Sequence, residues 1–173
     1  YGSIFGHGAY LGPYFTAEYL HMAALSSIDF YGGAKSDSSR ARTIEDFKTN
    51  RYDPASGATE SYGASDQVGF VVPVEGGGFI AGLKSGLHRF ASATGTFDKV
   101  VDVHPEHPDN RLNDCGVDTE GRLWFGSMDD GEEAKTGALY CLDADGRARR
   151  MDGGYCITNG PCTSPDGKTF YHT

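Results

Sequence analysis

The 173-residue sequence predicts a mainly β fold of about two to three propeller-like blades, preceded by a short α-helical or irregular N-terminal segment. From residue 66 onward, short apolar and aromatic runs alternate with Gly, Asp and Pro, the pattern of strands joined by tight turns. Glycine ends a turn at Gly78, Gly121 and Gly167, and the intervals of 43 and 46 residues fall in the range of one blade. Residues 1–64 lack this pattern. An ordinary β-sandwich is the competing arrangement for the same strands.

Taken in order, Thr16 is a candidate N-cap for a helix in which Tyr19, Leu20, Ala23, Ala24, Ile28 and Tyr31 recur near helical spacing. A Gly- and Ser-rich connector, Gly32 to Ser39, leads to a second short helical signal over about Thr43 to Asn50, and Tyr52-Asp-Pro-Ala-Ser-Gly reads as a turn. The strand signals are Val68–Val72, Gly78–Leu83, Gly86–Phe90, Arg122–Gly126, Ala138–Leu142 and Thr169–His172. A meander of this kind buries little unless neighbouring blades cover its faces, so two to three blades alone leave sheet surface and edges exposed.

Net charge is −9. Splitting at residue 64 gives 5 basic and 7 acidic residues before, and 10 and 17 after. No basic patch exists to drive counterion release, which excludes nucleic acid as a partner. No apolar run approaches the roughly 18 residues of a membrane span, and no secretory signal is visible, so the chain as given is expected to be cytoplasmic with no membrane contact. Cys115, Cys141, Cys156 and Cys162 are spaced by 26, 15 and 6 residues, which matches no zinc pattern, and free thiols are expected. His7 and His21 lie 14 apart in different settings and do not make a ligand cluster; His7 fits a glycine-rich turn and His21 a packed helix face.

The run Arg111-Leu-Asn-Asp-Cys-Gly-Val-Asp-Thr-Glu-Gly-Arg-Leu-Trp-Phe-Gly-Ser-Met128, with Ile157-Thr-Asn-Gly-Pro161, resembles the SMP-30/gluconolactonase/regucalcin-like family of six-bladed propellers over about residues 66–173. The family's usual wording is close to R-L-N-D-G-K-V-D-P-x-G-R-L-W-F-G-T-M. Cys115 and Cys156 stand where the family usually has Gly, and strain from a Cβ at positive φ is expected there. The resemblance implies a partial six-bladed propeller. It implies metal binding by Asn159, substrate contacts by Arg111 and Asn113, and an acidic substrate contact within Asp129-Asp-Gly-Glu-Glu133, for which Asp130 is the candidate. Asp114 and Asp118 are expected to cap turns.

The activity implied is hydrolysis of a sugar lactone assisted by a divalent metal, calcium or zinc first, with magnesium or manganese as further fits. An amide oxygen suits a hard cation when carboxylates supply the compensating charge. The family's Glu from an early blade and its Asp from a later one, the Asp also serving as general base, are not matched by motif. The sequence starts at Tyr1 without Met and stops within a strand-like run, so an incomplete polypeptide with little activity alone is expected.

Residues 1–60 carry a different likeness. Tyr1-Gly-Ser-Ile-Phe-Gly-His-Gly-Ala-Tyr-Leu-Gly-Pro, Phe15-Thr-Ala-Glu-Tyr-Leu-His and Lys48-Thr-Asn-Arg-Tyr-Asp-Pro resemble the extramembrane segment of the NorB-like large subunit of quinol-dependent nitric oxide reductase, although that family usually has Asp at the position of Tyr14. The expected division is therefore 1–64 and 65–173, with a junction near 61–66. The alternatives to a lactonase-like role are a fragment of that reductase's large subunit and a non-catalytic propeller module.

Overall fold

The computed structural model describes residues 47–173, and the helix expected over 16–31, His7 and His21 lie outside the described residues. Twelve strands follow among them: β1 Lys48–Tyr52, β2 Thr59–Gly63, β3 Val68–Pro73, β4 Phe79–Leu83, β5 Gly86–Ala91, β6 Thr96–Val101, β7 Asn110–Val117, β8 Leu123–Asp129, β9 Gly137–Leu142, β10 Ala148–Tyr155, β11 Cys162–Thr163 and β12 Phe170–Tyr171. The helical signal at Thr43 to Asn50 gives way to strand from Lys48, because Thr49 and Asn50 are buried in the ladder that β1 makes with β2. Pairing with β2 outweighs a weak local propensity.

The strands form four antiparallel sheets: a β1-β2 hairpin, a four-stranded meander β3-β4-β5-β6, a second meander β7-β8-β9-β10, and a β11-β12 hairpin. This is part of a bladed propeller, each meander being one blade. Gly78, Gly121 and Gly167 occupy equivalent turns, between β3 and β4, β7 and β8, and β11 and β12. All three have positive φ, at 80°, 79° and 68°, which is why the repeat is punctuated by glycine.

Two apolar clusters hold the blades. Phe70, Val72 and Leu87 from the first meander meet Leu112, Leu123, Phe125 and Tyr140 from the second. The Phe125 ring stacks on Tyr140 at 5.5 Å and lies 6.1 Å from Phe70. The opposite face of the first meander, through Ala81, Leu83 and Phe90, receives Ala64, Phe47 and Tyr62 from the β1-β2 side. Alternation along β3 sends Phe70 and Val72 to one cluster and Val71 to the other, and a register shift between Val68 and Phe70 puts Val68 on the face of Val71.

The leading strands approach closely. A Cβ at Gly69 would lie 2.3 Å from the carbonyl oxygen of Leu112, and one at Gly116 would lie 2.0 Å from that of Pro161. Small residues there let β3, β7 and the segment before β11 run side by side. No helix among the described residues is long and apolar enough to cross a membrane.

Candidate functional site

The site grows from an irregularity in β7. Leu112 pairs with Ser127 and Cys115 with Phe125, so Asn113 and Asp114 together oppose one residue of β8. Such a bulge re-aims side chains that a regular ladder would keep in register. Both reach the loop ahead of β11. Asn113 Nδ2 donates to Thr158 O and to Asn159 Oδ1, each at 2.9 Å. Asp114 Oδ2 accepts from Gly160 N at 2.8 Å. Asp114 is thus a clamp between blades rather than the expected turn cap.

Arg111 fixes which way Asn113 faces. Its Nη1 donates to Asn113 Oδ1 at 3.0 Å and to Leu112 O at 3.3 Å, and a guanidinium can only donate. The amide oxygen of Asn113 therefore points at Arg111, and its NH2 is left for Asn159. Arg111 Nε donates to Asp130 Oδ1 at 3.1 Å, and Asp130 also accepts from Lys84 Nζ at 3.1 Å and Gln67 Nε2 at 3.2 Å. All four residues singled out in the sequence, Arg111, Asn113, Asp130 and Asn159, lie in one hydrogen-bonded array.

The array grades from inside to outside. Arg111 is 5% exposed, Asn113 and Asp130 are half-buried, and Asn159 is exposed. The main chain of Asn159 is held by two hydrogen bonds with Thr173, at 2.7 and 2.9 Å. Thr158, 2% exposed, donates through Oγ1 to Ser127 O at 3.1 Å, and the absence of a side chain at Gly126 makes room for it. Lys84 and Gln67 were not legible as site residues, since a turn lysine and a strand-edge glutamine carry no motif.

The acidic loop also sorts itself. Asp129 Oδ2 accepts from Glu133 N and Ala134 N, both at 2.9 Å, and these backbone bonds hold its carboxyl below the usual range. Asp129 ties the loop; Asp130 joins the array. Asp118 caps its turn as expected, accepting from Glu120 N, Arg122 N, Arg122 Nε and Trp124 Nε1. The strain expected at Cys115 and Cys156 is absent: among the described residues, the non-glycine positions with positive φ are His104 and Glu132. Cys115 instead packs against the core cluster, and none of the four cysteines forms a disulfide.

Among the described residues, no three His, Cys, Asp or Glu side chains are grouped to hold a metal ion. Asn159 Oδ1 is a suitable neutral oxygen, but it is one donor, it accepts from Asn113, and no cluster of carboxylates among the described residues compensates a divalent charge beside it. The described residues do not by themselves fit such an ion.

The family model for the SMP-30/gluconolactonase/LRE-like region matches residues 43–173. The chain belongs to this family. Among SMP-30/gluconolactonase/LRE-like relatives, a 6-deoxy-6-sulfogluconolactonase of Pseudomonas putida is 33% identical over 129 residues, 73% of this chain and 43% of that protein. An L-arabinolactonase of Azospirillum brasilense is 37% identical over 95 residues, 53% of this chain and 31% of that protein. The solved structure of a regucalcin from Agrobacterium tumefaciens, described as a calcium-binding protein, superposes with a TM-score of 0.69 at 25% identity, over 75% of this chain and 44% of that one. The chain spans less than half the length of each of these relatives. A second family model, the NorB cytochrome c-like domain of nitric oxide reductase, matches residues 1–68.

Proposed function

We propose that this chain carries the amide and arginine side of a sugar-lactone hydrolase site and has little hydrolytic activity by itself. The observation supporting this is the array Asp130–Arg111–Asn113–Asn159, which fixes two side-chain amides at the end of adjoining blades. The oriented amides complement the carbonyl and hydroxyl oxygens of a lactone ring, and the guanidinium behind them holds Asn113 in place. They bind and orient; none of them can accept a proton from water at neutral pH.

In this reading Asn113 and Asn159 meet the ligand, while Arg111, buried behind them, positions Asn113 and is itself positioned by Asp130. The divalent ion we propose for the complete site, calcium or zinc ahead of magnesium or manganese, would take its carboxylate ligands from outside residues 47–173. The test is hydrolysis of glucono-1,5-lactone by the 173-residue chain, followed by acid release with and without added calcium or zinc. The expected rate is that of buffer containing the same ion. Saturable, ion-dependent turnover would contradict the proposal.

A further inference from the structure

Each whole meander consists of a leading pair of strands followed by a trailing pair. β11-β12 is a leading pair, since Gly167 holds the turn that Gly78 and Gly121 hold in the two meanders. β1-β2 is a trailing pair. Gly57 N donates to Asp53 O across its turn as Gly95 N does to Ala91 O across the turn of β5-β6, each at 2.8 Å. Tyr62 and Ala64 pack on the meander that follows, as Val101 and Val103 do one blade later. The described residues therefore hold the strands of three blades, with a trailing half-blade before the two meanders and a leading half-blade after them.

The leading half-blade presents a face that elsewhere meets a neighbour. Val74 N donates to Gly78 O, Asp118 N to Arg122 O and Ser164 N to Thr169 O, which aligns Ile80, Trp124 and Tyr171 at one position of successive blades. Ile80 packs against the cluster shared with the second meander, and the Trp124 ring lies 4.3 Å from Phe170 of β12. Each meets the blade after its own. Tyr171 is 56% exposed, and no following blade stands against it among the described residues. The same alignment names the receiving position, which is Leu123 in the second meander, Phe170 in β12 and Phe79 in the first meander. Phe79, Val68 and Val71 are only partly buried in the cluster beneath β1-β2.

A second copy fits both half-blades at once. Its trailing pair supplies the strands that complete the leading pair, and its first meander brings Phe79 against Tyr171. A two-fold axis repeats the same junction on the other side, so the ring closes with no half-blade left over and no sheet edge inviting further pairing between blades. The size agrees. One copy spans 44% of the regucalcin structure, so two copies amount to nearly one such ring.

We propose that two copies of this chain associate by two-fold symmetry into a closed ring of six blades, in which β11-β12 of each copy and β1-β2 of the other form one four-stranded blade. The ring requires neither Asn113 nor Asn159 to bind a ligand, and so stands apart from the lactone reading. The test is sedimentation equilibrium of the 173-residue chain across a range of concentration. A single step from 18.5 kDa to twice that mass is expected, with nothing larger. Tyr171→Asp should weaken the dimer at least about tenfold, as loss of a central aromatic contact does. Val100→Asp, at a 52% exposed apolar site on β6, should leave it unchanged. Backbone amide spectra establish that each variant is folded, and Tyr171→Ala carries the test if Tyr171→Asp is not. In a dimer mixed from isotope-labelled and unlabelled copies, isotope-filtered NOEs should join the Tyr171 ring of one copy to the Phe79 ring of the other. The proposal is overturned by a monomer up to about 1 mM, by growth beyond two copies, by equal weakening from Val100→Asp, by a dimer that the folded Tyr171 variant does not weaken, or by absence of that NOE.

Discussion

Asn113 Nδ2 donates to Asn159 Oδ1 at 2.9 Å, a bond between residues 46 positions apart that joins the bulge of β7 to the loop before β11. Because Arg111 claims the Asn113 oxygen, the direction of this bond is set from the protein interior outward. Two amides on neighbouring blades are thereby held in one orientation before any ligand arrives.

That orientation depends on the NH2 of Asn113. Asn113→Asp keeps an acceptor for Arg111 but faces Asn159 Oδ1 and Thr158 O with a carboxylate. It should cost more stability than Asn113→Ala, for which a loss of about 1 kcal/mol is expected. Urea unfolding midpoints of the two variants check the order.

Asp118 should give the fold a pH-sensitive turn. Burial pushes its carboxyl up, but hydrogen bonds from Trp124, Arg122 and the turn backbone outweigh that and leave it below its ordinary 3.8. A lowered native value means this stabilisation is full above the unfolded value and is lost as pH falls through the native one. Asp118→Asn should cost about 2 kcal/mol at neutral pH. Its deficit relative to the parent should shrink below pH 3.8, read by Trp124 fluorescence during urea unfolding.

Gly116 tests the approach between blades. Gly116→Ala places a Cβ 2.0 Å from Pro161 O, so backbone must shift, and a loss of about 1–3 kcal/mol is expected. Gly63→Ala, with nothing within 4 Å and no positive φ, should change the thermal midpoint far less.

The thiols should differ in reactivity. Burial first, then the Asp143 charge, pushes Cys141 up to about 11, whereas Cys162 is exposed. Iodoacetamide at about pH 8 should label Cys162 well before Cys141, as peptide mass spectrometry would resolve.

The blade repeat was legible because a turn with positive φ demands glycine, and Gly78, Gly121 and Gly167 announce it. Strands with aromatic inward faces, such as Leu123–Asp129 and Gly137–Leu142, were legible for the same kind of reason. Other strands carry no such signal. β1 overlaps the weak helical signal at Thr43 to Asn50, and β1 and β2 are decided by pairing with each other, while β6, Thr96–Val101, and β10, Ala148–Tyr155, are mostly exposed and so show little apolar alternation. The motif named Arg111, Asn113 and Asn159, yet not that Arg111 is buried behind the amides, nor that Asp114 clamps Gly160. Both depend on a bulge that no local residue preference specifies.

The most direct test of the central claim is the side-chain 1H–15N spectrum of the 173-residue chain titrated with gluconolactam, a mimic that keeps the ring but resists hydrolysis. Saturable shifts of the Asn113 and Asn159 NH2 signals together are expected, weakened when Arg111→Lys removes the planar donor that orients Asn113. Unmoved Asn113 and Asn159 signals at saturating lactam, with Arg111→Lys equal to the parent, would contradict it.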